Sequence, residues 1–125
     1  MVKSNLKNRI GGLAYEVTQN LATEPPHSGK YNDFFEKGIY KCVCCNIKLF
    51  NSSTKFQSKS GWPSFSTPAD KYVINYSEDN TSGTKRVEIK CNNCNSHLGH
   101  VFDDGPKPSK KRYCINSVSL KFEKK

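Results

Sequence analysis

No stretch of this 125-residue chain approaches the ~18 consecutive apolar residues that span a bilayer. Met1 to Val17 also lacks the unbroken apolar segment of a secretory leader, so a cytoplasmic, reducing location is expected. Structural disulfides are then not expected, and the six cysteines read as metal ligands, catalysts or core. Apolar residues are scarce: 34% of the chain, about 40% with the eight glycines, against the ~45–50% usual for globular proteins. So lean a core points to something beyond apolar burial holding the fold, although fourteen aromatic residues offset part of the deficit. Acidic residues are few, 11 against 20 basic ones, for a net charge of +9. That balance suits a nucleic-acid partner, yet the basic residues are mostly lysines spread along the chain, with crowding only at Lys107 to Arg112 and the last five positions. No internal repeat or low-complexity segment stands out, and no crossover helix separates the later hydrophobic runs, which disfavours a parallel sheet.

The length fits one domain spanning 1–125, with an N-terminal helix and arm (1–38) and a β core (39–120). Leu6, Ile10, Leu13, Val17 and Leu21 recur at helical spacing, weakened by Gly11-Gly12 and ended by Thr23-Glu24-Pro25-Pro26. Beyond Gly38 the pattern turns to strands at Ile39–Lys41, Tyr72–Tyr76, Arg86–Lys90 and Arg112–Leu120. These runs imply antiparallel β structure, with Tyr72, Tyr76 and Tyr113 buried in strands.

Cys42 and Cys45 form one Cys-x-x-Cys, and Cys91 and Cys94 a second, each directly after a predicted strand. Two intervening residues let a tight turn aim both sulfurs at one ion, and four thiolates complete the closed tetrahedral shell of structural Zn²⁺. A thioredoxin-like redox pair is the competing reading, but that motif wants a helix N-terminus in a βαβ setting. The two segments look alike only in their cysteines, as halves of one site rather than copies of a unit. Cys44, between ligands, is expected to point away from the metal as a small filler, with a redox role as the alternative.

Cys114 stands outside both knuckles. Strand alternation puts Arg112, Cys114 and Asn116 on one face, and a neighbouring guanidinium favours the thiolate that a nucleophilic cysteine needs. His97-Leu98-Gly99-His100 places two imidazoles around a glycine whose freedom at positive φ would turn both toward one cavity. Trp62, the only tryptophan, sits in Ser60-Gly61-Trp62-Pro63-Ser64-Phe65, and its aromatic wall suits a methyl group on sulfur. Inert packing is the ordinary alternative for each of these residues.

Taken together, Thr23-Glu24-Pro25-Pro26, Gly38-Ile39-Tyr40-Lys41-Cys42, Thr54-Lys55-Phe56, Gly61 to Phe65, His97 to Pro106 and Arg112 to Ser117 resemble the methionine sulfoxide reductase B family. The likeness runs from Tyr15 to Leu120. It implies a mainly β fold of two antiparallel sheets with a short N-terminal helical segment, and a structural zinc on Cys42, Cys45, Cys91 and Cys94. It further implies reduction of methionine-R-sulfoxide in oxidised proteins or peptides through a sulfenic acid on Cys114, with a thioredoxin-type or small-thiol reductant and no nucleic-acid or membrane partner. A monomer is expected. Cys114 is the implied nucleophile, and Trp62, His97, His100, Arg112 and Asn116 the implied pocket. In the reading that follows, His100 and His97 organise or supply a proton, Trp62 holds the methyl group, Arg112 favours the thiolate and Asn116 orients the cavity. One position departs from the family pattern: Ser60 stands where many members carry a resolving cysteine, so direct reduction of the sulfenic acid is expected. A zinc-stabilised nucleic-acid binding module is the alternative function.

Overall fold

A computed structural model describes residues 3–81 and 83–125. Two short helices, α1 (Lys3–Ile10) and α2 (Gly12–Asn20), precede the strands β1 (Gly38–Cys42), β2 (Lys48–Asn51), β3 (Lys55–Phe56), β4 (Ser64–Phe65), β5 (Ile74–Asp79), β6 (Arg86–Cys91), β7 (His97–Phe102), β8 (Arg112–Ile115) and β9 (Leu120–Lys124). They form two antiparallel sheets, ordered β2-β1-β9 and β3-β4-β8-β7-β6-β5. The core lies between them. Phe50 of the small sheet stacks on Phe65 of the large one, ring centroids 4.4 Å apart, and Tyr40 meets Phe65 edge-on at 5.1 Å. Aromatic contact between sheets thus does much of what aliphatic volume does in richer cores.

The single helix expected from the leucine spacing is broken at Gly11, whose φ of 94° ends one helical phase and begins another. Leu6 and Val17 are buried as expected, but Leu13 and Leu21 are exposed, and Ala14 and Thr18 take the inner face of α2. The strand expected over Tyr72–Tyr76 slides to Ile74–Asp79, leaving Tyr72 71% exposed and Tyr76 46% exposed, while Tyr113 is buried. The run Arg112–Leu120 divides: β8 ends at Ile115, a 3₁₀ turn over Ser117–Ser119 crosses between layers, and β9 joins the other sheet.

The two Cys-x-x-Cys hairpins, contrary to the expectation, are copies of one unit. Lys41-Cys42-x-x-Cys45-Asn46-x-x-Leu49 matches Lys90-Cys91-x-x-Cys94-Asn95-x-x-Leu98. Asn46 and Asn95 both have positive φ (71° and 65°), and their N–H groups donate to Cys42 O and Cys91 O at 2.8 and 2.7 Å. Cys42 N–H and Cys91 N–H close the hairpins on Ile47 O and Ser96 O, both at 2.9 Å. Each hairpin then bulges at its leucine: Tyr40 and Lys41 face Phe50 and Lys48, and Ile89 and Lys90 face Gly99 and His97. Leu49 and Leu98 are both fully buried.

Candidate active site and metal centre

The sulfurs of Cys42, Cys45, Cys91 and Cys94 all lie within 4.8 Å of one another, with Cys42···Cys94 and Cys45···Cys91 both at 3.6 Å. A tetrahedron with metal–sulfur bonds of ~2.3 Å has edges of about 3.8 Å, so the four sulfurs fit a metal ion. The pairing follows the pseudo-symmetry, each first cysteine approaching the second cysteine of the other hairpin. Cys44 is buried and stays outside this set, with Gln19 Nε2 3.7 Å from its sulfur.

The bulge at Leu98 positions the histidines. Three residues apart on a regular strand, His97 and His100 would face opposite ways; one extra residue returns them to the same face, rings edge-on with centroids 5.8 Å apart. Gly99 serves close approach rather than positive φ: a Cβ there would lie 1.9 Å from Cys114 O. His100 pairs across the ladder with Cys114.

Cys114 lines a cavity of about 310 Å³ together with Trp62, His100, Arg112, Asn116, Ser60 and Arg86. Five of the six expected pocket and nucleophile residues therefore converge. His97 does not line the cavity: it is 3% exposed, with Nδ1 2.7 Å from Glu88 Oε2, and supports the His100 ring from behind. Burial pushes the His97 ring toward its neutral form, against the opposing pull of Glu88. Asn116 lies past the end of β8. Its Oδ1 accepts from Glu24 N–H at 2.9 Å and its Nδ2 donates to Leu98 O at 3.0 Å, leaving one N–H for the cavity.

Burial raises the Cys114 thiol above its ordinary value, outweighing the Ser60 hydroxyl and the Arg112 guanidinium that pull it down. Burial thus outweighs the neighbouring guanidinium, against the thiolate expected from Arg112 alone. Arg112 is itself committed elsewhere, donating from Nε and Nη2 to Asp104 at 2.9 and 3.3 Å and lying 4.5 Å over the Phe102 ring.

Four supporting residues escaped the sequence reading. Buried Glu24 accepts from Trp62 Nε1 at its carbonyl (3.0 Å), donates its N–H to Asn116, and accepts from Val118 N–H at Oε1 (3.0 Å). The arm is thereby tied to both pocket walls. Pro25 and Pro26, which stiffen that arm, were the available signal. Gly61, at φ 93°, lets the chain pass Pro26, whose Cβ would sit 2.7 Å from a side chain there. Asp79 Oδ2 meets His100 Nε2 at 2.8 Å, while Thr81 Oγ1 and N–H donate to Oδ1 at 2.6 and 2.9 Å and Arg86 Nη2 donates to Oδ2 at 3.3 Å. The Thr81 hydroxyl, then His100, Thr81 N–H and Arg86 hold the Asp79 carboxyl far below the usual carboxylate range. With Glu88 behind His97, each imidazole is held by one carboxylate, Glu88 from the adjacent strand β6 and Asp79 from β5 one strand further out. No periodicity marks such pairs, because Asp79 and His100 meet only through the β5-β6-β7 order.

The SelR domain model matches residues 11–124. The chain belongs to the SelR domain family. It is 51% identical over 123 residues to the peptide methionine sulfoxide reductase MsrB of Burkholderia mallei, covering 98% of this chain and 86% of that one. It is 49% identical over 119 residues to the protein of the same name from Thioalkalivibrio sulfidiphilus, covering 95% and 87%. Among solved structures, the Mis18 "Yippee-like" domain superposes with a TM-score of 0.57 at 14% identity, over 71% of this chain and 97% of that one, a likeness of fold alone.

Proposed function

We propose that this SelR-family chain reduces the R-epimer of methionine sulfoxide in oxidised proteins and peptides, with Cys114 as the nucleophile. The observation that carries the reading is a half-buried cysteine, separate from the metal cluster, in a cavity walled by Trp62 and His100. Trp62 takes the methyl group on sulfur. Cys114 attacks the sulfoxide sulfur while the thiol proton passes through His100 to the sulfoxide oxygen, which departs as hydroxide when the S–O bond breaks. The hydroxide then adds to the Cys114 sulfur and the methionine thioether leaves. Thiol and sulfoxide thereby become sulfenic acid and sulfide, the cysteine oxidised by two electrons and the methionine sulfur reduced by two. Asn116 and Glu24 hold the cavity's shape, Arg112 lowers the cost of the thiolate, and His97 fixes His100.

Cys42, Cys45, Cys91 and Cys94 hold a structural zinc, which clips the two hairpins and takes no part in turnover. The chain acts as a monomer, and the whole of 1–125 as one domain, positions 1, 2 and 82 lying outside the described residues. A reducing cytoplasm suits zinc thiolates and a free Cys114; among the described residues no helix is long and apolar enough to cross a membrane. The nucleic-acid alternative is not favoured: exposed Tyr72 and Tyr76 lie away from any converging chemistry, and that reading has no use for Cys114 beside His100.

One equivalent of R-sulfoxide peptide, without reductant, tests the reading. The R-epimer should be consumed and the S-epimer spared. The protein should gain one oxygen on Cys114, trapped by dimedone, because Ser60 cannot form a disulfide and Cys44 is locked in the core. A small thiol or thioredoxin-type donor then reduces the sulfenic acid directly. Equal consumption of both epimers contradicts the assignment; loss of two hydrogens with a Cys44–Cys114 cross-link contradicts the recycling route.

Asp79→Asn should lower kcat about tenfold or more with little change in KM, short of the ~10²–10⁴ a general acid itself contributes. The amide keeps the size but not the charge that holds His100 Nε2. Steady-state kinetics on an R-sulfoxide peptide checks this, and an unchanged kcat removes Asp79 from the machinery.

A further inference from the structure

A methionine sulfoxide inside a polypeptide brings neighbours on both sides, and a cavity of about 310 Å³ cannot enclose a chain that continues in both directions. The main chain must leave along the surface. Next to the cavity runs a shallow groove that shares Ser60 and Arg112 with it and continues past Ser58, Phe56 and Lys59. Its bed is preformed. Ser58 Oγ lies 2.9 Å from Ser60 Oγ and 2.8 Å from Ser64 Oγ, and Arg112 is pinned on two nitrogens by Asp104. Phe56, half-buried, supplies an apolar patch.

The groove's charges do not cancel. Arg112 and Asp104 neutralise each other, whereas exposed Lys59 has no acidic partner within ion-pair distance among the described residues. The net charge of +9 adds a long-range field of the same sign. We propose that this groove is a subsite for the residues flanking the oxidised methionine, and that Lys59 makes the enzyme prefer an acidic side chain within two positions of it. The substrate class is then methionine sulfoxide in acidic sequence. This inference rests on the reading of Cys114 as a sulfoxide-reducing centre and adds the choice among peptides.

The test compares acetylated, C-terminally amidated R-sulfoxide pentapeptides differing only in Asp, Ala or Lys beside the methionine, placed on either side, with uncharged N-acetyl methionine-R-sulfoxide methylamide as the substrate that lacks flanks. At low salt, kcat/KM should favour the Asp over the Lys peptide by about fivefold on at least one side, as an exposed charge contact permits, and the preference should shrink at high salt. Lys59→Glu, an exposed change, should invert the order while leaving N-acetyl methionine-R-sulfoxide methylamide unaffected. The Trp62 fluorescence of the Cys114→Ser protein gives the same comparison as binding, independent of turnover. Equal kcat/KM across the three peptides, a preference that survives Lys59→Glu, or a Lys59→Glu loss as large on the flankless substrate overturns the subsite. Failure to reduce any sulfoxide, with the binding preference intact, would instead count against the proposed reaction and leave the groove standing.

Discussion

Cys114→Ser should abolish reduction of R-sulfoxide while leaving the fold and the metal content unchanged. An alcohol has almost no anion near neutral pH and is a far poorer nucleophile than a thiolate, so the loss should reach the detection limit, at least ~10³-fold. Structural cost is small, because the sulfur lines a cavity rather than the core and its contact to Ser60 Oγ, at 3.9 Å, is one that a serine hydroxyl can also make. The remaining cysteines offer no substitute: four are gathered in one cluster able to hold a metal ion, and Cys44 is buried in the core. Alkylation of the unmodified protein is the companion measurement. Burial raises the Cys114 thiol, so iodoacetamide should label it slowly at neutral pH and faster only as the pH climbs past the ordinary thiol range. Fast labelling at pH 7 would show a resting thiolate. Retained single-turnover reduction by Cys114→Ser would remove the residue from the chemistry.

That upward shift shows where reading from sequence runs out. Arg112 two residues before Cys114 is visible in the sequence, and strand alternation does place both on one face. The balance between a nearby cation and burial is not visible, because burial is set by Glu24, Trp62 and Ser60 arriving from distant segments. Asn116 illustrates the same limit. Alternation continued one residue too far, and Asn116 reaches the cavity only because the chain turns after Ile115 and its amide is caught by Glu24 and Leu98.

The four-cysteine cluster was legible for the opposite reason. Chemistry fixes Cys-x-x-Cys locally, whatever the fold does elsewhere. Their surroundings were legible too but went unread: the shared Lys, Asn and Leu of the two hairpins were present in the sequence, and each answers to a stated geometry. Asn tolerates positive φ after the second cysteine, and Leu is the extra buried residue of a bulge. Helix phase failed at Gly11 because one residue at φ 94° resets every later position, and the two-residue strands β3 and β4 carry no period at all.

Replacing Cys91 by Ser, or stripping the metal with a chelator, should have the largest effect on stability. The hairpins carrying the four cysteines belong to different sheets, β1–β2 to the small one and β6–β7 to the large one, so an ion held there would join the two layers where the lean core is otherwise closed by short strands. Metal binding of this kind contributes folding free energy directly. Loss of one ligand should cost on the order of 3–5 kcal/mol, a large share of the ~5–15 kcal/mol that holds a domain together, and lower Tm by roughly 10–20 °C. Purified protein should contain one Zn²⁺ per chain by elemental analysis. Cys44→Ser is the control, since Cys44 is buried but outside the cluster, and should keep its zinc. Activity should fall with the metal even in molecules that remain folded, because the bulge at Leu98 that brings His97 and His100 to one face begins four residues after Cys94 and in register with its hairpin. A zinc-free protein with unchanged Tm would refute the site, and one that kept full kcat after chelation would sever the link between the knuckle and the histidines.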